Sequence, residues 1–312
     1  MDFRELTYLQ AIAKYQNITK AANAVFVSQP TLTKFLQKTE KELGLKLFKR
    51  LGNRYCLTYA GGLYLEKSTA ILSLKKQLDA EMNDIIKKDR GILNLALGVM
   101  RCSYFLPATL PVFQARYPHV KVNILETISD KMEASLLSGE TDLAFFNLPV
   151  VSPDLDYKII NTEELLLVTA ADHPLTAKAV QKKGYTHPWL DVRYLEKERF
   201  ILQTAGQRTE QNVETLLKTC DFIPTVVLRT GSMPAIAELT AANYGICFMT
   251  DTTFQHIHTQ KPLACFSIGQ PRLLCDFVAA WRHGVYLPAY AKAYIEIAKA
   301  NFSNPSLAAT QL

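Results

Sequence analysis

The sequence has no long apolar run, no paired cysteines and no recognisable catalytic motif, and each absence removes a class of function. No window approaches the roughly 18 consecutive apolar residues of a membrane span, so a transmembrane protein is not expected. The start, Met1-Asp2-Phe3-Arg4-Glu5, carries acids and lacks the basic-then-apolar order of a secretion signal, which predicts a soluble, cytoplasmic protein. The cysteines (Cys56, Cys102, Cys220, Cys247, Cys265 and Cys275) are scattered without a C-x-x-C pair. That spacing argues against a disulfide framework or a zinc site and for reduced, mostly buried thiols. The histidines are scattered too. His256-Ile257-His258 would put two imidazoles on one face of a strand, a weak metal signal beside the plainer reading of a loop or strand edge. There is no G-x-S-x-G, no glycine-rich phosphate loop, no H-E-x-x-H and no paired-carboxylate motif. Neither an enzyme nor a metal or cofactor is expected, and no catalytic residue is assigned.

What is present is a chain of 312 residues, long enough for two or three domains, with 48% apolar residues to fill their cores. Charge is unevenly placed. Residues 1–90 hold 16 Lys/Arg against 9 Asp/Glu, a net of +7, while residues 91–312 hold 19 against 20. A basic module on a neutral one suggests a polyanion partner for that module alone; a solvated basic surface is the bland alternative.

In that basic third, Leu6, Leu9, Ile12 and Ala13 recur at helical spacing. Asn17-Ile18-Thr19 supplies a turn and cap, and Lys20 to Val25 reads as a short helix whose Ala21, Ala22 and Ala24 allow close packing. Ser28 is a good N-cap, Pro30 suits the first turn of the helix that follows, and Gly44 ends it. Leu32, Leu36 and Leu43 lie within about 40° of one another around the axis and are expected to face the core, with Thr39 weakening that stripe. The opposite side carries Lys34, Gln37 and Lys41, flanked by Thr33 and Lys38, with Gln29, Pro30 and Thr31 at the tip, and no acid. Amides and hydroxyls suit base edges and lysines suit phosphates, as a DNA-reading helix requires; a solvated amphipathic face is the competing reading. Beyond Gly44, two short β-compatible runs flank Lys49-Arg50-Leu51-Gly52-Asn53-Arg54, predicting a hairpin whose Arg50, Asn53 and Arg54 meet a phosphate backbone or narrow minor groove.

Thr58 to Lys88 contains no proline, and Tyr64, Ile71, Leu74, Leu78, Met82 and Ile85 recur at steps of 7, 3, 4, 4 and 3. This heptad-like seam predicts a long helix that pairs with a second copy, or one packed on its own C-terminal domain. Further on, strand-like and helix-like segments alternate, from Leu93–Gly98 and Pro107–Tyr117 to Phe277–Trp281 and Pro288–Ala300. The alternation predicts parallel α/β lobes with a ligand cleft at the carboxyl ends of their strands.

Several strings then resemble one family: Phe3-Arg4-Glu5-Leu6, Thr19-Lys20-Ala21-Ala22, Ser28-Gln29-Pro30-Thr31-Leu32-Thr33-Lys34, Glu40-Lys41-Glu42-Leu43-Gly44, Leu47-Phe48-Lys49-Arg50 and Leu57-Thr58-Tyr59-Ala60-Gly61. Together they look like the winged helix-turn-helix of LysR-type transcriptional regulators. The resemblance implies an α/β protein overall: an N-terminal winged helix-turn-helix (1–58), a linker and dimerisation helix (59–90) and a two-lobed, periplasmic-binding-protein-like effector domain (91–312). Lobe I would be 91–161 with 267–300, and lobe II 162–266. The partners implied are double-stranded promoter DNA, a small-molecule effector and further copies of the chain, as a homodimer and then a homotetramer. By the same resemblance the effector sits between the lobes against the loop Gly98–Ser103. Met100 stands where many members have Ser or Thr, leaving Arg101 and Ser103 as polar groups there, with Arg101 beside a helix N-terminus favouring a carboxylate or phosphate. Phe146, Asn147, Gln203, Thr204, Ser232 and Met233 complete the expected rim. A surface or inter-lobe salt bridge is the alternative role for Arg101. A transport solute-binding protein shares the two-lobed fold, but the basic helix-turn-helix and the absent signal argue against it.

Overall fold

The computed structural model describes residues 2–302 apart from 53, 86–89, 219 and 221. Two compact units divide between Lys87 and Lys88.

The first unit starts with three helices whose ends the sequence specifies locally. α1 (Phe3–Tyr15) opens with a reciprocal capping box between Asp2 and Glu5. α2 (Ile18–Ala24) opens on Asn17, whose Oδ1 accepts from the Thr19 and Lys20 amides at 3.0 Å each. α3 (Gln29–Leu43) opens on Ser28, has Pro30 in its first turn, and ends at Gly44 in the left-handed conformation. Leu6, Leu9, Ile12, Ala21, Ala22, Leu32 and Leu36 bury between the helices, and the two alanines let α2 approach α1 closely. The expected core stripe of α3 needs one correction. Leu43 is 41% exposed, and Glu40 is buried in its stead. Its carboxylate accepts from the Leu47 and Phe48 amides at 2.9 and 3.1 Å and pairs with Lys46 at 2.6 Å. These bonds satisfy the amides that start the wing, which a leucine could not do.

The wing is β1 (Phe48–Leu51) paired antiparallel with β2 (Arg54–Leu57). α4 (Tyr59–Ile85) follows, and the Thr58 hydroxyl ties its start to the segment leading into β1 by donating to the Lys46 and Leu47 carbonyls. Tyr64 packs on the core of this unit, whereas Leu74, Leu78 and Met82 of the expected seam are 63%, 57% and 43% exposed. The Ile85 side chain and the end of the expected linker lie outside the described residues.

The second unit contains β3 (Arg90–Leu97), α5 (Val99–Arg116), β4 (His119–Glu126), α6 (Ser129–Ser138), β5 (Leu143–Asn147) and β6 (Leu155–Ala170). After a 3-10 turn come β7 (Trp189–Leu190), β8 (Arg199–Gln203), α7 (Arg208–Lys218), β9 (Thr225–Thr230), α8 (Met233–Ala241), β10 (Cys247–Thr250) and α9 (Asp251–His256). β11 (Leu263–Ile268), β12 (Leu274–Arg282) and α10 (Ala289–Phe302) follow. One lobe is built on the order β4-β3-β5-β12-β6, the other on β10 and β11 against β6, with the parallel pair β8 and β9 beside them.

β6 belongs to both lobes. Residues 155–164 pair with β12, and residues 165–170 pair with β10 and β11. The all-parallel expectation therefore holds for β3 with β4 and β5, and for β8 with β9, but β12, β10 and β11 each pair antiparallel with β6, and β12 also with β5. The sequence reading missed the polar first half of β6 and all of β11, and with them the antiparallel centre. A second correction concerns α5, which starts at Val99 rather than Pro107, so the expected loop Gly98–Ser103 is loop only at Gly98. Pro107 and Pro111 lie inside this helix, although proline ordinarily marks a first turn.

Two adjacent glycines give opposite expectations. A Cβ on Gly61 would lie 1.9 Å from the Leu47 carbonyl oxygen, whereas one on Gly62 meets nothing within 4 Å. Gly61→Ala is expected to destabilise the first unit by about 1–3 kcal/mol. Gly62→Ala in the same helix should add about 0.5–1 kcal/mol. Thermal unfolding of the two variants reads the signs, and equal shifts would refute the close approach at Leu47.

Candidate nucleic-acid interface and ligand cavity

On α3, Gln29, Pro30, Thr31, Lys34, Gln37, Lys38 and Lys41 are exposed and Thr33 is half-buried. The tip is ordered internally: Ser28 and Thr31 hydroxyls share a 2.7 Å bond, and Gln29 Nε2 donates to Thr33 Oγ1 at 3.0 Å. The face is less free of acid than the spacing implied, since Glu42 sits 3.7 Å from Lys38 one turn along. That exposed pair contributes little energy, on the order of 0.3–0.5 kcal/mol, and leaves Lys34 and Lys41 unpaired among the described residues. On the wing, Lys49, Arg50 and Arg54 are exposed, and the Arg50 guanidinium lies 6.0 Å from the Tyr55 ring centre. Asn53 lies outside the described residues. The result is an exposed, cap-started helix beside a cationic hairpin. It can offer amides and hydroxyls to base edges and cations to phosphates.

In the second unit, the carboxyl ends of β3, β4, β5, β8 and β10 surround a cavity of about 320 Å³, at the small end of ordinary ligand pockets. Of the expected rim, Met100, Arg101, Phe146, Asn147, Gln203 and Met233 line it. Ser103, Thr204 and Ser232 lie outside its lining. Once α5 begins at Val99, Ser103 sits on the helix and its hydroxyl bonds back to the Met100 carbonyl at 2.7 Å. Ser232 is spent capping α8.

Arg101 requires the largest revision. Its guanidinium donates to both carboxylate oxygens of Glu163 at 2.7 and 2.9 Å and to Asn147 Oδ1 at 3.1 Å, and it stacks 3.8 Å from the Phe277 ring centre. Glu163 is fully buried on β6 and also accepts from Asn147 Nδ2 at 2.8 Å. Burial pushes the Glu163 carboxyl up, but the Arg101 charge and the bonds from Arg101, Asn147 and Thr252 outweigh it and hold the group below its usual range. The free cation expected at Arg101 is therefore already neutralised, because a buried carboxylate demands a partner. Arg208, on the opposite wall at the start of α7, is balanced in the same way: it pairs with Asp130 and, at 2.7 Å, with Glu133 of α6. These bonds bridge the two lobes at the cavity rim.

Amide groups also face the cavity, although the Asp130 amide of α6 already donates to the Gly206 carbonyl at 3.3 Å. α5 and α6 both begin there, at Gly98 and Ile128, and neither has a side-chain cap. Ser129 and Lys131 lie in the first turn of α6, and Lys131 has no ion partner among the described residues. Sequence reasoning missed Glu40, Lys131, Arg208 and Glu163. For Glu163 a signal existed: two acids, Glu163-Glu164, run directly into Leu165-Leu166-Leu167-Val168. His256, the weak metal signal, closes α9 and stacks on Tyr104 with ring centres 4.3 Å apart. The described residues contain no cluster fit to hold a metal ion.

A winged helix-turn-helix and a two-lobed α/β unit with an interior cavity define a ligand-responsive DNA-binding protein. The family model for the bacterial regulatory helix-turn-helix protein, lysR family, matches residues 3–62, and that for the LysR substrate binding domain matches residues 87–303. The chain belongs to the LysR family of transcriptional regulators. It is accordingly a DNA-binding transcriptional regulator with an effector-binding domain.

Among its relatives is the uncharacterized HTH-type transcriptional regulator YwbI of Bacillus subtilis, 28% identical over 305 residues, which cover 98% of each chain. The Hca operon transcriptional activator HcaR of Escherichia coli is 32% identical over 177 residues, 56% of this chain and 59% of that one. In fold the chain is similar to a full-length OxyR variant from Pseudomonas aeruginosa, with a TM-score of 0.72 at 23% identity, covering 96% of this chain and 94% of that one. It is also similar to full-length CbnR in complex with its target DNA, with a TM-score of 0.65 at 22% identity, covering 96% and 100%.

Asp251, beside the Arg101–Glu163 pair, yields a pH test. Burial and the Glu163 charge push its carboxyl from the ordinary 3.8 up to about 6. The folded protein thus favours the neutral acid: this contribution to stability is present below about pH 4 and lost as pH rises through about 6. Asp251→Asn should be more stable than the parent above pH 6, by at most about 3 kcal/mol, and match it near pH 4, read by thermal unfolding across pH. A gain independent of pH would refute the buried titration.

Proposed function

We propose that this regulator binds promoter DNA sequence-specifically through α3 and the wing, in the cytoplasm, under the control of a small anionic effector, a carboxylate being the simplest. The observation that carries the anionic reading is the pair of uncapped helix starts, α5 and α6, at one cavity wall. Helix N-termini present oriented N–H groups and a partial positive charge to whatever lies beyond them. Lys131 and the Ser129 hydroxyl supplement them, while Arg101 acts through position, holding the wall by its bond to Glu163. Gln203 and Thr209 on the facing lobe, joined at 2.8 Å, supply neutral contacts.

An effector touching both walls adds to the Arg208 bridge between lobes and shifts their relation. A coupling of about 1–3 kcal/mol is enough to change promoter occupancy or DNA bending. The exposed Leu74, Leu78 and Met82 support pairing of α4 with a second copy, which would present two α3 helices to half-sites one turn apart. Two such dimers would make the homotetramer.

Two measurements test this function. Lys34→Ala should weaken binding to the DNA upstream of the gene and lower the salt slope by about one unit, read by gel shift across salt concentrations. Unchanged affinity and slope would remove Lys34 from the interface. In a thermal-shift panel of small carboxylates, phosphates and neutral analogues, an anion should raise the melting temperature, and Lys131→Ala should diminish that rise. Stabilisation by neutral compounds alone would overturn the anionic effector.

A further inference from the structure

We propose that Phe26, in the turn between α2 and α3, is itself a DNA-contacting residue that lays its ring against an apolar surface of the duplex, a thymine 5-methyl group or a deoxyribose face. The inference rests on the DNA-reading function proposed for α3 and adds to it a contact that the polar face of that helix does not provide.

The backbone around Phe26 explains why the position is unusual. α2 ends on a double closure: the Phe26 amide donates to the Asn23 carbonyl at 3.3 Å and the Val27 amide to the Ala22 carbonyl at 3.0 Å. This closure needs a left-handed residue between the helix and the following chain, ordinarily glycine or asparagine. Phe26 fills it with φ at +56°. An aromatic side chain gains nothing there from the fold, because the ring is 95% exposed and has no aromatic or cationic partner among the described residues. Its neighbours Val25 and Val27 do pack against the core of the unit, so the turn is anchored on both sides and holds Phe26 outward. The local conformation and the hydrophobic effect both argue for a small polar residue at this place. Its location supplies the compensating contact: Ser28, two residues on, caps α3, and the exposed Gln29, Thr31 and Lys34 follow directly. Apolar groups read thymine through its methyl group, which the amide and ammonium groups of Gln29 and Lys34 cannot do.

Phe26→Asn separates folding from recognition, because asparagine suits a left-handed turn. The variant should melt at or above the parent temperature. Its affinity for the DNA upstream of the gene should fall about tenfold with an unchanged salt slope, since no counterion release accompanies an apolar contact. Replacing thymine by deoxyuridine across the site identifies the surface touched. If the parent loses affinity and Phe26→Asn does not, the methyl group is the target; if both are indifferent while Phe26→Asn stays weaker than the parent, the sugar is. Phe26→Asn binding like the parent while Lys34→Ala binds more weakly would overturn the role of Phe26 and leave the DNA-reading function standing. Parental binding by both variants would overturn both. A lower melting temperature for Phe26→Asn would assign the ring a structural role and sink the proposal.

Discussion

Glu163 carries a negative charge where water does not reach, and the geometry around the cavity follows from how that charge is balanced. An ionised carboxylate in such a place is costly unless it is both paired and hydrogen-bonded. Arg101 supplies the pairing, Asn147 and Thr252 supply bonds, and Phe277 fixes the plane of the guanidinium. Because these groups come from α5, β5, α9 and β12, one charge draws four elements onto β6. Removing either partner of such a pair ordinarily costs on the order of 3–5 kcal/mol, much of it for the charge left behind. The cavity wall is thus rigid where a ligand would touch it. Its two arginines are spent on ion pairs and contribute scaffolding.

The first unit uses a buried acid in the same way. Glu40 turns from α3 toward the start of the wing and satisfies two backbone amides there. The side chain that fixes the wing to α3 therefore comes from α3 itself, so helix and wing share one anchor. Gly61 completes the joint from below by letting α4 pass within contact of the Leu47 carbonyl.

Much of the first unit was legible because its signals are local. Caps at Asn17 and Ser28, the stop at Gly44 and the small Ala21 and Ala22 all act within a few residues. Leu43 and Glu40 exchanged roles because periodicity scores apolarity, and the need for an acceptor at Leu47 and Phe48 is set by a strand outside the helix. In the second unit the alternation of strands and helices carried the α/β class, but the order of strands did not follow from it. β6 read as a short apolar strand because its first half is polar, and only its pairing with β12 makes that half a strand. Rim residues named from position alone, such as Gln203 and Phe146, reach the cavity lining, but what occupies the Arg101 charge was not legible, since Glu163 lies 62 residues away.

The passage of β6 through both lobes limits how they can move. Hinged lobes are usually joined by flexible crossings, where a few torsions absorb the opening. Here one crossing is a continuous strand: Glu164 still pairs with Leu274 of β12, and Leu165, the next residue, already pairs with Thr250 of β10. A wide clamshell opening would tear that ladder at its busiest point. Twisting along the strand axis preserves it, so the motion this architecture permits most cheaply is a small torsion of one lobe against the other.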